Sequence, residues 1–241
     1  MKRLFLGLLV VALAVGGLMF AQSIDLDDHV RAWNRSVIRI SRDLLHVDAN
    51  SELYFHQIDD HWHSIKRSLH WHYTFDRNRK ATGQEIDDLI SEFIGASQDK
   101  NWDQAIYYLD EIKYLTGEWF RIHQIDYNLV ELWNFECAMR DVVNIASDEL
   151  LELVDWKVLV WMHDEMDARW NQIIESQILF AVEGPTFNIG RKAMEGISHA
   201  LTDFDLALES ADGDQLAASA FEVRLQYARL LEILAAGLDG V

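Results

Sequence analysis

Residues that break helices are scarce in this chain. Proline occurs once in 241 residues, at Pro185, and few of the 12 glycines interrupt the apolar patterns. Proline disrupts helix interiors and glycine weakens them, so their scarcity removes the usual obstacles to long helices. The alternation of apolar and polar residues that marks half-buried strands is also rare. These shortages argue against a β-rich fold and predict an all-α protein.

Cysteine and basic residues are scarce as well. Cys137 is the only cysteine, so no intramolecular disulfide can form and the fold must depend on its core. Its apolar helical context predicts a buried, inert thiol. Lys and Arg number 21 against 40 Asp and Glu, which gives a net charge of −19. Such a surface repels phosphates, so we expect no nucleic acid and no anionic membrane surface as a partner, apart from a possible N-terminal anchor.

Several motifs that carry chemistry are missing. The sequence has no C-x-x-C-H, H-E-x-x-H, G-x-S-x-G or glycine-rich phosphate loop. It also lacks the pair of E-x-x-H segments that builds a di-iron site in a helical bundle. Paired carboxylates at helical spacing are inevitable among so many acidic residues and therefore indicate nothing. The sequence does not exclude an enzyme, but nothing in it favours one.

The N-terminal segment has the layout of a secretory signal peptide. Lys2 and Arg3 precede an apolar stretch from Leu4 to Val15, and a small residue follows at Ala21. This predicts a signal peptide over residues 1–21 and a periplasmic or secreted protein. The alternative is an uncleaved membrane anchor, because the apolar stretch through Phe20 reaches the short limit for a membrane span.

Apolar residues recur at alternating steps of three and four along four successive segments. These stripes run from Leu26 to Val47, Phe55 to His72, Ile86 to Ala96 and Ala105 to His123. Such spacing is typical of helices packed at shallow angles in four-helix bundles. The polar breaks between them, VDANSE, DRNRKATGQE and SQDKN, are short and predict antiparallel neighbours. Residues 22–123 therefore predict one up-down-up-down bundle.

The second half of the chain repeats this plan. Trp133 and Asn134 match Trp33 and Asn34, Trp170 matches Trp62, and the third and fourth stripes return in the same order. The spacing between matches changes only between helices, as it would if the repeats differed in loop length. We therefore predict a second bundle over residues 124–241 and a tandem duplication. The alternative is that any two amphipathic bundles align in this way.

Five of the ten histidines fall in the stretch HQIDDHWHSIKRSLHWH, residues 56–72. Helical spacing places His56, His63 and His70 on one solvent face, about 10.5 Å apart, which is too far for one ion to bridge. His61 falls on the flank of the apolar stripe. The row predicts a solvated, pH-responsive surface, with a metal site as the alternative.

Two histidines fall on the apolar stripes themselves. His72 and His123 end the second and fourth stripes, where the second half has apolar residues. In an antiparallel bundle these ends meet at one pole beside Asp28 and His29. The four side chains could hold Zn or Cu, and the imidazoles could instead bind haem b. The alternative is that they are hydrogen-bonded polar residues at partly wet helix ends.

The segment WMHDEM supplies one further candidate pair. His163 falls on the seam of the second bundle, and Met166 follows one step along it. A His and Met pair suits Cu(I) or a haem iron. The alternative is a core methionine beside a capped polar residue.

These observations predict an exported, non-enzymatic helical-bundle protein that binds an unknown ligand or partner, with no cofactor. The alternative is a bundle that binds metal or haem b and serves electron transfer, storage or sensing. A third option, a hydrolytic or redox enzyme, requires a cleft. The junction between the two bundles, near Arg121 to Asn128, is the obvious place for one.

Overall fold

The computed structural model describes residues 26–45, 52–69, 77–125, 129–147, 151, 153–176 and 185–237. Helix α1 covers residues 26–45. The helices that follow are α2 (Glu52–Ser68), α3 (Arg77–Gln98), α4 (Trp102–Ile122), α5 (Val130–Ala146), α6 (Leu153–Glu175), α7 (Pro185–Ser210) and α8 (Gly213–Gly237). These ranges contain eight helices and no strand, which confirms the all-α class.

Local chemistry explains several helix ends. Pro185 begins α7, where its missing N–H costs nothing. The Asp212 side chain accepts hydrogen bonds from the backbone N–H groups of Asp214 and Gln215, both at 3.1 Å, and so caps the start of α8. Lys100 and Ala211 adopt positive φ in the tight turns after α3 and α7. This left-handed conformation reverses the chain at once and makes the joined helices antiparallel neighbours.

The first four helices pack around a cluster of tryptophans. Trp62 on α2 lies 5.7 Å from Trp33 on α1 and 4.9 Å from Trp119 on α4, measured between ring centroids. All three rings are fully buried, as their stripe positions predict. Helix α3 packs against both α2 and α4. The indole N–H of Trp62 donates to Asp87 on α3 at 2.8 Å.

The last four helices also pack around buried aromatic rings. Helix α5 packs against α6 and α8, and α7 packs against α6 and α8. Phe135 on α5 lies 5.2 Å from Trp170 on α6 and 5.3 Å from Tyr227 on α8. The Trp170 indole donates to Ser198 on α7 at 2.9 Å. In each half, therefore, the tryptophan of the second helix donates a hydrogen bond to the third.

The two halves meet along two lines of contact. Helix α4 packs against α5. On another side, the Arg224 guanidinium of α8 donates a hydrogen bond to the carbonyl of Leu45 near the end of α1.

One predicted break is wrong. The polar stretch DRNRKATGQE was expected to separate two helices, but α3 begins within it, at Arg77. Gly83 is buried and continues the three-and-four spacing one step before Ile86. A glycine at that position has no side chain, so the stripe cannot be seen in the sequence, while Arg, Lys, Ala, Gln and Glu around it favour a helix.

Among the helices in the described ranges, none is both long and apolar enough to cross a membrane. The predicted signal segment, residues 1–21, lies outside those ranges.

Candidate functional site

A buried ion pair joins the two halves of the chain. The Lys113 ammonium of α4 lies 2.8 Å from a Glu136 carboxylate oxygen of α5, and the two side chains are only 2% and 3% exposed. The Tyr227 hydroxyl from α8 donates to the Leu132 carbonyl at 2.9 Å and lies 3.3 Å from the other Glu136 oxygen. Removing two charges from water is costly unless they are paired and hydrogen-bonded, and both conditions are met here.

A second ion pair extends the first into a chain of alternating charge. The Arg140 guanidinium of α5 binds the Asp110 carboxylate of α4. Asp110 in turn lies 3.7 Å from the Lys113 ammonium. Burial opposes the charged form of Arg140, but Glu136 and Asp110 outweigh it and raise the pKa of the guanidinium. The two cations and two carboxylates compensate one another.

Two neutral acids lie beside this chain of charges. Burial raises the pKa of the Tyr227 hydroxyl well above its usual value, and the nearby Glu136 carboxylate raises it further. Burial also raises the pKa of the Cys137 thiol, with Asp110 acting in the same direction. Both groups are held in their protonated forms, so Cys137 is poorly suited to act as a nucleophile.

Lys113 and Asp110, one member of each ion pair, line a cleft between α4 and α5, which we call the α4–α5 cleft. Its volume is about 670 Å³. It is lined by Asp110, Glu111, Lys113, Tyr114, Gly117, Glu118, Arg121, Ile125, Val130, Trp133, Asn134 and Cys137. The Lys113 ammonium lies 4.6 Å from the centroid of the Trp133 ring, so this wall already holds a cation against an aromatic face.

A smaller cavity of about 320 Å³ lies on the other side of the same ion pairs. Glu136 and Arg140 line it, whereas their partners Lys113 and Asp110 line the α4–α5 cleft. Each pair therefore spans the wall between the two spaces. The charged groups of this wall are paired with one another across the two helices, which restrains the wall.

The polar site predicted from His72, His123, His29 and Asp28 is described only in part, because His72 lies outside the described residues. His123 ends α4, where its ring stacks on Trp119 at 3.8 Å and its Nδ1 donates to the Trp119 carbonyl at 2.8 Å. His29 is half-buried and Asp28 is exposed. Burial lowers the pKa of the His61 imidazole, Asp60 opposes that shift, and His29 lies close enough to lower the pKa further.

In the parts of the chain that the structure describes, no three His, Cys, Asp or Glu side chains come together as a metal centre would require. With His72 outside those parts, binding of Zn, Cu or haem b by His72, His123, His29 and Asp28 stays a prediction.

The second predicted pair lies in the core. His163 is buried against Phe204 at 5.5 Å between centroids, and its Nε2 lies 3.4 Å from the Leu201 carbonyl of α7. Its other ring nitrogen is 4.0 Å from Asp205. Met166 is fully buried. Both side chains point inward as predicted, and their binding of copper or haem iron stays a prediction.

The histidine row lies on the surface where it is described. His56 and His63 are exposed, and His61 is half-buried on the flank, all as their spacing predicts. His63 lies 3.8 Å from Asp59, one helical turn away. His70 lies outside the described residues.

The sequence contained a signal for the junction that the periodicity argument missed. Glu136 occupies a stripe position of α5 between Leu132 and Met139, all of them buried. Lys113 occupies a similar position in α4 between Leu109 and Thr116. A charged residue at an apolar position indicates a buried charge in each helix, but it does not indicate which residue pairs with it.

No family model, no curated protein and no solved structure matches the chain.

Proposed function

We propose that this is a non-enzymatic binding protein that acts outside the cytoplasm and holds a small organic molecule in the α4–α5 cleft. The observation that carries this proposal is the cleft itself. Its volume of about 670 Å³ falls within the range of small-molecule sites, roughly 300–1,000 Å³. Aromatic, aliphatic and charged side chains line it together, as they do in such sites.

The rigidity of the walls supports binding. Lys113 and Glu136 connect α4 to α5 below the cleft, and Asp110 and Arg140 connect them a second time. A site whose walls are already fixed loses less conformational entropy when a ligand binds.

The chemistry of the lining favours binding over catalysis. The carboxylate of Asp110 and the ammonium of Lys113 are both engaged in ion pairs. The pKa of the Cys137 thiol is raised, which is opposite to the shift that activates a nucleophile. A catalytic site requires a general base or nucleophile poised to react, and these groups are held in their resting forms.

The proposal includes two tandem four-helix bundles related by duplication, with the cleft at their junction. A buried aromatic cluster in each of α1–α4 and α5–α8 supports this division. So do the hydrogen bonds of Trp62 and Trp170, each made to the third helix of its own half. A predicted signal peptide over residues 1–21 supports the location outside the cytoplasm.

Native mass spectrometry of the protein purified from its own host tests this function. We expect a small-molecule adduct on the wild type that is lost in Val130→Trp, because the larger ring fills the cleft. The matched control is Val158→Trp on α6. Val130 and Val158 are both 37% exposed, but only Val130 lines the cleft.

The control variant should retain the adduct. A wild-type protein without any adduct, or a Val130→Trp variant that keeps it, would contradict the proposal.

A further inference from the structure

We infer that the ligand of the α4–α5 cleft is an organic cation that carries its charge on an aromatic or aliphatic body. This inference rests on the proposed function and names the class of molecule that the site selects. It is carried by the balance of charges around the cleft and by the aromatic side chains in its walls.

One carboxylate is left over when the charges of the cleft are paired. Four of the five charged side chains that line it have partners, in the pairs Lys113–Glu136, Asp110–Arg140 and Glu118–Arg121. Glu111 forms no ion pair with any residue in the described ranges. The cleft therefore presents one uncompensated negative charge, which attracts a cation.

No cation in the lining is left over for an anionic ligand. Lys113 is buried against Glu136, and the pair of Arg121 with Glu118, at 2.6 Å, is neutral overall. The chain as a whole carries −19, so its long-range field also favours cations and repels anions. The charge of the cleft and the net charge of the chain therefore both favour a cationic ligand.

The aromatic walls suit the same class of ligand. Tyr114 lines the cleft and is 68% exposed, so its ring is open to contact with a ligand. The Trp133 ring is only 5% exposed and already has the Lys113 ammonium over it, so Tyr114 supplies the open aromatic face. Aromatic faces attract cations because their π electrons carry negative potential, and the gain is about 0.5–1 kcal/mol at exposed sites.

Isothermal titration calorimetry at low ionic strength tests the inference with three probes that share a benzene ring and differ in charge. These are benzyltrimethylammonium, benzyl alcohol and benzoate, which are cationic, neutral and anionic. We expect the cation to bind more tightly than the alcohol by roughly fivefold or more, as one extra charge contact predicts. Benzoate should bind more weakly than either.

Variants of cleft residues, each with a matched control outside the cleft, test which side chains produce the preference for the cation. Glu111→Gln should reduce the preference for the cation to about twofold or less while leaving benzyl alcohol binding unchanged, because only the charge is removed. Glu209→Gln, an exposed carboxylate on α7, should keep the full preference. Tyr114→Ala should weaken the cation about two- to fivefold. Tyr107→Ala should not, since Tyr107 is 58% exposed on the same helix but lies outside the cleft.

The results separate this inference from the proposed function. If benzyl alcohol or benzoate binds as tightly as the cation and Val130→Trp abolishes that binding, the cleft remains a ligand site but the cation class is wrong. Absence of binding by the cation, or an unchanged preference in Glu111→Gln, would also overturn the inference.

Discussion

Lys113 and Glu136 each occupy a position that the spacing of their helix would give to an apolar side chain. Their charges are tolerated because they meet each other and because Tyr227, Asp110 and Arg140 surround them. A buried ion pair is not by itself a strong source of stability, since the attraction mainly offsets desolvation. Its consequence is that replacing only one of the two residues leaves the other charge buried without its partner.

Single replacements within this pair should therefore be severe. Glu136→Leu leaves the Lys113 ammonium buried without its partner, and we expect it to lower the free energy of unfolding by about 3–5 kcal/mol. Lys113→Met should cost a similar amount. The double variant Lys113→Met/Glu136→Leu should cost far less than the sum, since no isolated charge of the pair remains. Urea denaturation of the four proteins measures this, and additive losses would contradict the argument.

Tyr227 should make the free energy of unfolding depend on pH in the alkaline range. Its pKa is raised in the folded protein by burial and by Glu136, whereas in the unfolded chain it is near 10. Above about pH 10 the unfolded state therefore loses a proton that the folded state retains, so stability falls as pH rises. The free energy of unfolding, measured by urea from pH 8 to 11, should fall less steeply in Tyr227→Phe than in the wild type. Tyr107→Phe serves as the control, and an unchanged slope in Tyr227→Phe would count against this account.

At the scale of the helices, the sequence predicted the buried positions wherever apolar side chains recur at helical spacing. Trp62, Phe93 and Leu230 fall on the predicted stripes and are buried. The start of α3 was missed because Gly83 occupies the stripe without an apolar side chain. The ion pairs were missed because residues on different helices meet only in three dimensions, and helical spacing describes one helix at a time.

Two glycines within helices should differ in how their replacement by alanine changes the free energy of unfolding. A methyl group added at Gly95 in α3 meets no atom within 4 Å, so Gly95→Ala should raise the free energy of unfolding by about 0.5–1 kcal/mol. At Gly196 in α7 the same methyl would lie 2.7 Å from the Gln226 side-chain oxygen, which must move aside. Gly196→Ala should therefore gain less than Gly95→Ala or lose stability. Thermal and urea denaturation compare the two, and a destabilised Gly95→Ala would refute the argument.

At the scale of the whole molecule, removal of the predicted signal peptide would make the net charge more negative. The net charge of −19 becomes two units more negative if residues 1–21, with Lys2 and Arg3, are removed. We expect the intact mass of protein from its native host to correspond to a chain that begins at Gln22. A mass that retains the segment would instead support the membrane anchor.

The α4–α5 cleft lies where the two halves of the chain meet. The ion pairs connect α4 to α5, and Arg224 connects α8 to the end of α1, so the halves are joined on two sides. A ligand in the cleft would contact the last helix of one half and the first helix of the other. The candidate site is thus a property of the whole chain and of neither half alone.

A crystallographic fragment screen tests the central claim most directly. Small aromatic and aliphatic compounds soaked into crystals of the full-length protein should collect in the α4–α5 cleft, in contact with Tyr114 and Trp133. Cationic fragments should be enriched among the hits. Hits that cluster elsewhere on the protein, with only solvent in the cleft, would contradict the account.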